Sequence, residues 1–214
     1  MPPYFDEPDA PKDQLVPFVP STNFTAEKVV ELLKINENDK IIDLGCGDGR
    51  IVFKAVEMKN CSGIGIDINK DLIDECNQKV IKEKLGNKLS FYVDDFSRDN
   101  FDFYNCNCIC FYLVPKILKI IENKIKNYIR QNRNRRVVSI RFPFRNLIPT
   151  YIDETMKLYY YDYSSKDGKF GDDNYLNLLP AFWKDQNNNN KNYYYLNLID
   201  IIIVYIKANL LRLF

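Results

Sequence analysis

The sequence predicts an α/β fold in which helices cover both faces of a doubly wound parallel sheet. Short apolar runs of strand length alternate with longer amphipathic segments from about residue 25 to residue 142. The run Ser62–Ile68 is almost entirely apolar, as expected for a parallel strand that is buried on both faces. A glycine-rich turn follows the first apolar run, Lys40–Leu44, at the place where a strand passes into a helix.

The elements follow from this alternation in chain order. A first helix is predicted after Thr25, its expected N-cap, and a third helix after Asn69. The second and fourth helices are predicted at Asp48–Lys59 and Lys116–Arg130, and Ile81 and Ile120 are assigned to buried helix faces. The predicted strands are Lys40–Leu44, Ser62–Ile68, Leu89–Val93, Cys106–Leu113, Arg136–Phe142 and Leu158–Tyr163. Parallel strands connected in this way bind ligands at their carboxyl ends.

The most informative motif is the turn DLGCGDGR at residues 43–50. Its three glycines let the backbone bend sharply and approach a ligand closely. Asp67 follows about 20 residues later, at the distance from which a carboxylate can bind both hydroxyls of a ribose. A dinucleotide-binding turn would place its third small residue where this chain has Arg50. The motif therefore indicates a nucleotide-type cofactor other than a dinucleotide.

With an acid before three alternating glycines, the turn resembles the first motif of the class I S-adenosylmethionine (SAM) methyltransferases. The resemblance implies SAM as the cofactor and a Rossmann-like sheet of seven strands that ends in an antiparallel hairpin. The region after residue 157 would supply this hairpin, with Tyr193–Ile206 as the last strand.

The same resemblance implies roles for individual residues. The glycine turn would face the methionine part of SAM, and Asp67 would hold the ribose. Asp94 or Asp95, with Asp95 preferred, would accept the adenine amino group, unless these acids only cap a turn or helix. Ile68 or Phe96 would lie against the adenine ring. The implied cofactor-binding residues are Phe18, Asp43, Gly45, Cys46, Gly47, Gly49, Asp67, Ile68, Asp94, Asp95 and Phe96.

Three further segments resemble the family of mitochondrial lysine methyltransferases that modify the c-ring protein of ATP synthase and the adenine nucleotide translocase. They are PFVPST at residues 17–22, DLGCGDGRIV at 43–52 and RFPF at 141–144, and the YLVP stretch at 112–115 is similar to one in bacterial relatives. The resemblance covers about residues 15–163. This chain departs from the family in having Cys46 in place of Ser, and Asp67 where animal members commonly have Glu.

This second resemblance implies methylation of a lysine Nε. The PFVPST segment would cover the SAM pocket and help to form a lysine channel, with Pro20 and Ser21 on the substrate side. A rigid loop packed on the core is the alternative for this segment. Tyr112, or an acid, would take the proton of the lysine. The implied partner is a protein with a target lysine, and a mitochondrial membrane protein is one candidate.

Composition narrows the chemistry. The chain has no histidine, so a general base must be Asp, Glu, Tyr, Cys, Lys or water, and a histidine metal site is excluded. The six cysteines form no C-x-x-C pair and are interpreted as reduced, buried thiols of an intracellular protein, with no metal predicted. Cys106, Cys108 and Cys110 alternate, so they are expected on one face of a strand.

Four segments are predicted along the chain. A flexible lead at 1–16 precedes a methyltransferase domain at 17–185, an Asn-rich insertion at 186–192 and a C-terminal strand or tail at 193–214. The tail is apolar but too interrupted for a confident membrane span. The N-terminus resembles neither a signal peptide nor an Arg-rich transit peptide. The family resemblance favours a mitochondrial location, and a cytoplasmic one is the alternative.

Two other functions compete with lysine methylation. One is an RNA or small-molecule methyltransferase, and its support is a run of basic residues between Lys116 and Arg136. Such a run is more often a solvated helix face, and the net charge of +1 makes nucleic acid an unfavoured partner. The other is a SAM-fold binding protein without catalytic activity, which the intact glycine turn and Asp67 argue against.

Overall fold

The computed structural model describes residues 21–170. The helices within this part are α1 (Asn23–Leu32), α2 (Arg50–Lys59), α3 (Lys70–Lys82) and α4 (Pro115–Gln131). The strands are β1 (Lys40–Leu44), β2 (Ser62–Asp67), β3 (Leu89–Val93), β4 (Cys108–Phe111), β5 (Arg136–Ile140), β6 (Leu147–Ile148), β7 (Tyr151–Asp153), β8 (Leu158–Tyr161) and β9 (Lys166–Asp167). The predicted segments 1–16, 186–192 and 193–214 lie outside the described residues.

Seven of these strands form one sheet in the order β3-β2-β1-β4-β5-β8-β7. Strands β1 to β5 are parallel, whereas β8 is antiparallel to both of its neighbours. The predicted doubly wound, seven-stranded α/β sheet is therefore confirmed. The winding reverses between β1 and β4, and a reversal of this kind opens a crevice at the carboxyl ends of the strands.

The antiparallel hairpin differs from the prediction in its partner strand. β8 confirms the strand predicted from residue 158, but it pairs with β7, which precedes it in the chain, with Tyr151 opposite Tyr160. The seven-stranded sheet is thus complete without Tyr193–Ile206, which lies outside the described residues. A three-residue strand such as β7 is too short to show the period-two pattern by which strands are recognised.

The sheet is covered by apolar clusters on both faces. Ile41 belongs to the cluster beneath α1, α2 and α3, and its neighbour Ile42 belongs to the cluster beneath α4, because successive strand residues point to opposite faces. Two inward assignments were wrong: Ile81 is 77% exposed and Ile120 is 48% exposed. Each lies at the margin of an otherwise buried helix face, where helical periodicity alone does not locate the boundary.

The helix starts are also corrected. The N-cap of α1 is Thr22, whose hydroxyl accepts a hydrogen bond from the Thr25 amide, so Thr25 lies inside the helix. α2 begins at Arg50 and not at Asp48, because Gly49 adopts a left-handed conformation that ends the turn. Asn69 caps α3 as predicted, accepting hydrogen bonds from the amides of the first helical turn.

All six cysteines are buried, as predicted for thiols that act as small apolar residues. The expected common face is not observed for all three of the clustered cysteines. β4 begins only at Cys108, which lies with Cys110 in one apolar cluster, whereas Cys106 lies in the other. Residues 21–170 contain no group of three or more candidate metal ligands.

Candidate functional site

The glycine turn lies between the end of β1 and the start of α2, beside the end of β2. All three of its glycines have positive φ: 76° at Gly45, 54° at Gly47 and 71° at Gly49. This left-handed region disfavours residues with a Cβ, so the turn depends on the glycines. The amides of Gly45 and Cys46 donate to the carbonyl of Ile66 at 2.8 and 3.0 Å, which fastens the turn to β2.

Asp67, the last residue of β2, is held against this turn. Its Oδ2 accepts a hydrogen bond from the Gly47 amide at 3.0 Å, and its Oδ1 accepts one from the Asn69 amide at 2.9 Å. The side chain is half-buried, so it remains accessible from the crevice. Since each carboxylate oxygen has two lone pairs, both oxygens keep acceptor capacity for a ligand. The predicted proximity of turn and acid is confirmed.

Asp43 is buried beneath the turn and does not share the accessibility of Asp67. Burial raises the pKa of Asp43 from its usual 3.8 to about 7; the Cys110 thiol opposes this rise, and Asp67 and Asp48 add to it. Cys46 is also buried, and burial raises the pKa of its thiol well above the usual value. These two residues therefore support the turn from below.

The predicted adenine acids differ in their surroundings. Asp94 is engaged by the protein, because its Oδ2 accepts hydrogen bonds from the Tyr104 hydroxyl and from Arg98, both at 3.0 Å. Asp95 is exposed, and its Oδ1 accepts a hydrogen bond from the Ser97 amide at 2.8 Å. Asp95 is thus the acid that remains open to a ligand. Asp94 acts mainly in holding its own loop together.

Two half-buried apolar side chains accompany these acids. Ile68 directly follows Asp67 at the end of β2, and Phe96 directly follows Asp95 after β3. The ring of Phe96 packs edge-to-face on Phe101, with 6.5 Å between the ring centroids. Because β2 and β3 are adjacent and parallel, both side chains lie at the same edge of the sheet as the glycine turn.

Tyr112 follows β4 directly, on the other side of β1 from Asp67. It is half-buried and packs against both apolar clusters. Burial raises the pKa of Tyr112, and the charge of Arg141 opposes the rise. In the RFPF motif, Phe142 and Phe144 are core residues and Arg141 is exposed at the end of β5.

Ser21 is joined to the glycine turn by Arg50, a residue to which sequence analysis gave no functional role. Nη1 of Arg50 donates to the carbonyl oxygen of Ser21, while Nε donates to Asp48 Oδ1 at 2.9 Å. The end of the PFVPST segment is therefore tied to the motif at residues 43–50. Phe18 and Pro20 lie outside the described residues.

The segment that carries this turn also matches a known family in sequence. The profile of the ANTKMT methyltransferase domain family matches residues 43–151, about half of the chain. The chain belongs to this family. The predicted family resemblance is confirmed, and the matched region contains the glycine turn, Asp67, Asp95 and Tyr112.

Named relatives of this ANTKMT-family chain are similar to it over a limited length. A lysine N-methyltransferase of Homo sapiens, named for the c-ring protein of ATP synthase, is 30% identical over 137 residues, which cover 64% of this chain and 56% of that protein. A protein-lysine N-methyltransferase of Saccharolobus islandicus is 27% identical over 135 residues, covering 63% of this chain and 81% of that protein. The match thus spans little more than half of the human relative.

A solved structure supports the fold. The RNA methyltransferase of Salinibacter ruber, determined in complex with S-adenosylhomocysteine, superposes with a TM-score of 0.60. It is 23% identical and covers 72% of this chain and 95% of its own. At this identity the likeness shows the class I methyltransferase fold and nothing about the substrate.

The residues of this ANTKMT-family site fit SAM, the cofactor of class I methyltransferases. The turn presents backbone without side chains, Asp67 is oriented by two amides, and Asp95 is an open carboxylate on the next strand end. Those are the group types that bind hydroxyls and an amino group. None of the helices in residues 21–170 combines the length and apolar character needed to cross a membrane.

Proposed function

We propose that this protein is a SAM-dependent protein-lysine N-methyltransferase. The observation that carries the proposal is the hydrogen bond from the Gly47 amide to Asp67, which joins the glycine turn and the ribose acid into one site in a chain of the ANTKMT family. The two relatives described above are both lysine N-methyltransferases by name. This combination supports lysine as the acceptor more directly than any other substrate class.

Each part of SAM has a candidate partner in this site. Asp67 binds the ribose hydroxyls through the lone pairs that the Gly47 and Asn69 amides leave available. Asp95 accepts the adenine amino group, and Ile68 and Phe96 contact the ring faces. The glycine turn lies against the methionine part, and Phe18 closes the pocket from the N-terminal segment, as the family resemblance implies.

When bound, SAM supplies a methyl group on a sulfonium with a neutral leaving group, so transfer is an in-line displacement by an uncharged nucleophile. A lysine must therefore lose a proton before it attacks. Because burial raises the pKa of Tyr112, its phenol stays protonated and is a poor base. Tyr112 instead orients the lysine by accepting a hydrogen bond from its amine, and water takes the proton. Pro20 and Ser21 form the substrate side of the channel.

The basic run does not favour an RNA substrate, because its charges are used within the protein. Lys126 pairs with Glu122 at 3.1 Å and with Asp167 at 3.2 Å. Six of the eight basic side chains in the run have a partner of this kind, by ion pair, hydrogen bond or cation–π contact: Lys124, Lys126, Arg130, Arg133, Arg135 and Arg136. Cations held in this way are poorly placed to neutralise phosphates.

The proposed partner is a protein that exposes a target lysine. By family resemblance, a mitochondrial membrane protein is the first candidate, and the mitochondrion is the proposed compartment. The test is to incubate purified protein with radiolabelled SAM and the membrane or soluble fraction of a host lysate, each with and without RNase. We expect one labelled protein band that RNase leaves unchanged, with the label recovered as methyllysine after hydrolysis.

Other outcomes have distinct meanings. Loss of the label on RNase treatment would replace the proposal with an RNA methyltransferase. A label that stays in small molecules would indicate a metabolite substrate. Absence of any label from a protein that binds S-adenosylhomocysteine would favour a SAM-fold binding protein without catalytic activity.

A further inference from the structure

Lys124, on α4, holds the loop that follows β3. Its Nζ donates hydrogen bonds to the carbonyl oxygens of Phe96 at 3.2 Å and Ser97 at 2.6 Å, and to that of Arg98. A lysine ammonium has three N–H donors, so all of them are used on three consecutive carbonyls. The side chain is half-buried, which strengthens these charge-assisted bonds relative to bonds made in bulk water.

The loop that Lys124 holds is long and lacks regular structure. Residues 94–107 connect β3 to β4 with no helix or strand between them. Loops of this length usually carry function in compact domains. Apolar packing attaches this loop to α4 elsewhere, where the ring of Phe103 lies edge-to-face on Tyr128 with 5.0 Å between centroids. Lys124 is the polar attachment near the start of the loop.

The turn bound by Lys124 is also the turn that orients Asp95. The Ser97 amide donates to Asp95 Oδ1, while the carbonyl of the same Ser97 accepts from Lys124. The two faces of one short turn are therefore fixed together, one by the helix and one by the carboxylate. A change in the position of the Ser97 carbonyl would move the Ser97 amide and, with it, the direction of the Asp95 side chain.

We propose that Lys124 is a positioning residue for the base of the cofactor: it fixes the turn from which Asp95 accepts the 6-amino group of adenine. Lys124 does not contact the ligand and acts only through the backbone of residues 96–98. The inference rests on the SAM site of the proposed function. Its consequence is specific, because it ties Lys124 to discrimination between a 6-amino and a 6-oxo purine.

The test compares the dissociation constants of S-adenosylhomocysteine and S-inosylhomocysteine, which differ at the 6-position of the base, by titration calorimetry. The variant is Lys124→Met, and the matched control is Lys119→Met, the same substitution at an exposed position of α4. For Lys124→Met we expect binding of the adenosyl ligand to weaken about tenfold, as when one hydrogen bond to a charged group is lost. Binding of the inosyl ligand should change less than about twofold, and Lys119→Met should behave as wild type.

A double mutant separates positioning from a general structural role. If Lys124 acts through Asp95, then Lys124→Met should cause no further loss of affinity in an Asp95→Ala background. Equal weakening of both ligands, or additive losses in the double mutant, would overturn the proposal. If Lys124→Met does not fold, Lys124→Gln takes its place, and failure of both variants to fold would assign Lys124 to stability alone.

The two proposals can fail separately. If the wild-type protein binds neither ligand, the proposed SAM-dependent function itself is wrong. If the wild type prefers the adenosyl ligand and Lys124→Met keeps the same preference, only the role of Lys124 is wrong.

Discussion

Asp43 and Asp67 show how one residue type takes two roles at neighbouring strand ends. Asp67 lies at the mouth of the crevice and is oriented by two backbone amides. Asp43 is buried, and its charged form is disfavoured by the loss of solvent. The spacing of the motif predicts both acids, but only burial distinguishes the accessible one from the supporting one.

Replacing Asp67 with Asn should weaken cofactor binding strongly. The variant loses the charge that binds the ribose hydroxyls, and its amide group turns a donor toward either the Gly47 or the Asn69 amide. We expect the dissociation constant of S-adenosylhomocysteine to rise at least about tenfold, measured by titration calorimetry. Asp71→Asn, an exposed change in the first turn of α3, is the control. An unchanged affinity in Asp67→Asn would remove the ribose role.

Asp43 should make the protein less stable as the pH rises. Between about pH 4 and 7, Asp43 is ionised in the unfolded chain but protonated in the folded protein, since its folded pKa is about 7. The folded state then binds more protons, so the free energy of unfolding falls with rising pH and becomes level above the folded pKa. The loss across this window is about 4 kcal/mol, as an order of magnitude.

Asp43→Asn removes this titration. The difference in free energy of unfolding between the variant and wild type should therefore move in favour of the variant across the same window. Urea denaturation at several pH values would measure it. Two parallel stability profiles would mean that Asp43 is ionised in the folded protein across the whole window.

At the scale of elements, β2 passes close to its neighbours because it carries glycines. A Cβ on Gly65 would lie 2.8 Å from the Cys46 sulfur and closer still to the ring of Phe91. The strand therefore approaches the glycine turn and β3 more closely than a side chain would permit. This close approach brings Asp67 within hydrogen-bonding distance of Gly47.

Gly65→Ala should therefore destabilise the protein by about 1–3 kcal/mol through overpacking. Gly86→Ala is the matched control, because a Cβ there would meet nothing within 4 Å. The control should stay within about 0.5 kcal/mol of wild type. Chemical denaturation measures both changes, and equal effects of the two substitutions would contradict the packing argument.

The long elements were predicted more accurately than the short ones. β1, β3 and α4 match their predictions to within about a residue, because each has a continuous apolar run or a sustained helical period. β7, with three residues, gives no such pattern. The N-cap of α1 was placed at Thr25 and not at Thr22, because both residues are good caps and local sequence does not choose between them.

At the scale of the whole molecule, the sheet and the described site residues lie within residues 21–170. The predicted domain boundary at 185 can therefore be tested directly. A chain ending at residue 185 should bind S-adenosylhomocysteine within about twofold of the full chain and unfold in one cooperative transition. Calorimetry and thermal denaturation measure the two properties. Loss of binding would assign part of the site to residues 186–214.

The basic run between Lys116 and Arg136 is also explained only by the whole molecule. In the sequence it predicts a solvated helix face or a phosphate-binding surface. In the fold, β9 brings Asp167 beside Lys126 and Arg130, and the segment before β1 brings Asp39 beside Arg136. These partners are distant in sequence, so local charge patterning does not reveal them.

The sequence by itself determined the fold class, the family and the position of the cofactor turn. These depend on local features: the alternation of apolar runs, three glycines at fixed spacing and one acid at the end of the next strand. Tertiary structure decided which acids are accessible, which strand completes the sheet and what Arg50 and Lys124 contact. Contacts between residues far apart in the chain decide those properties, and no local pattern specifies such contacts.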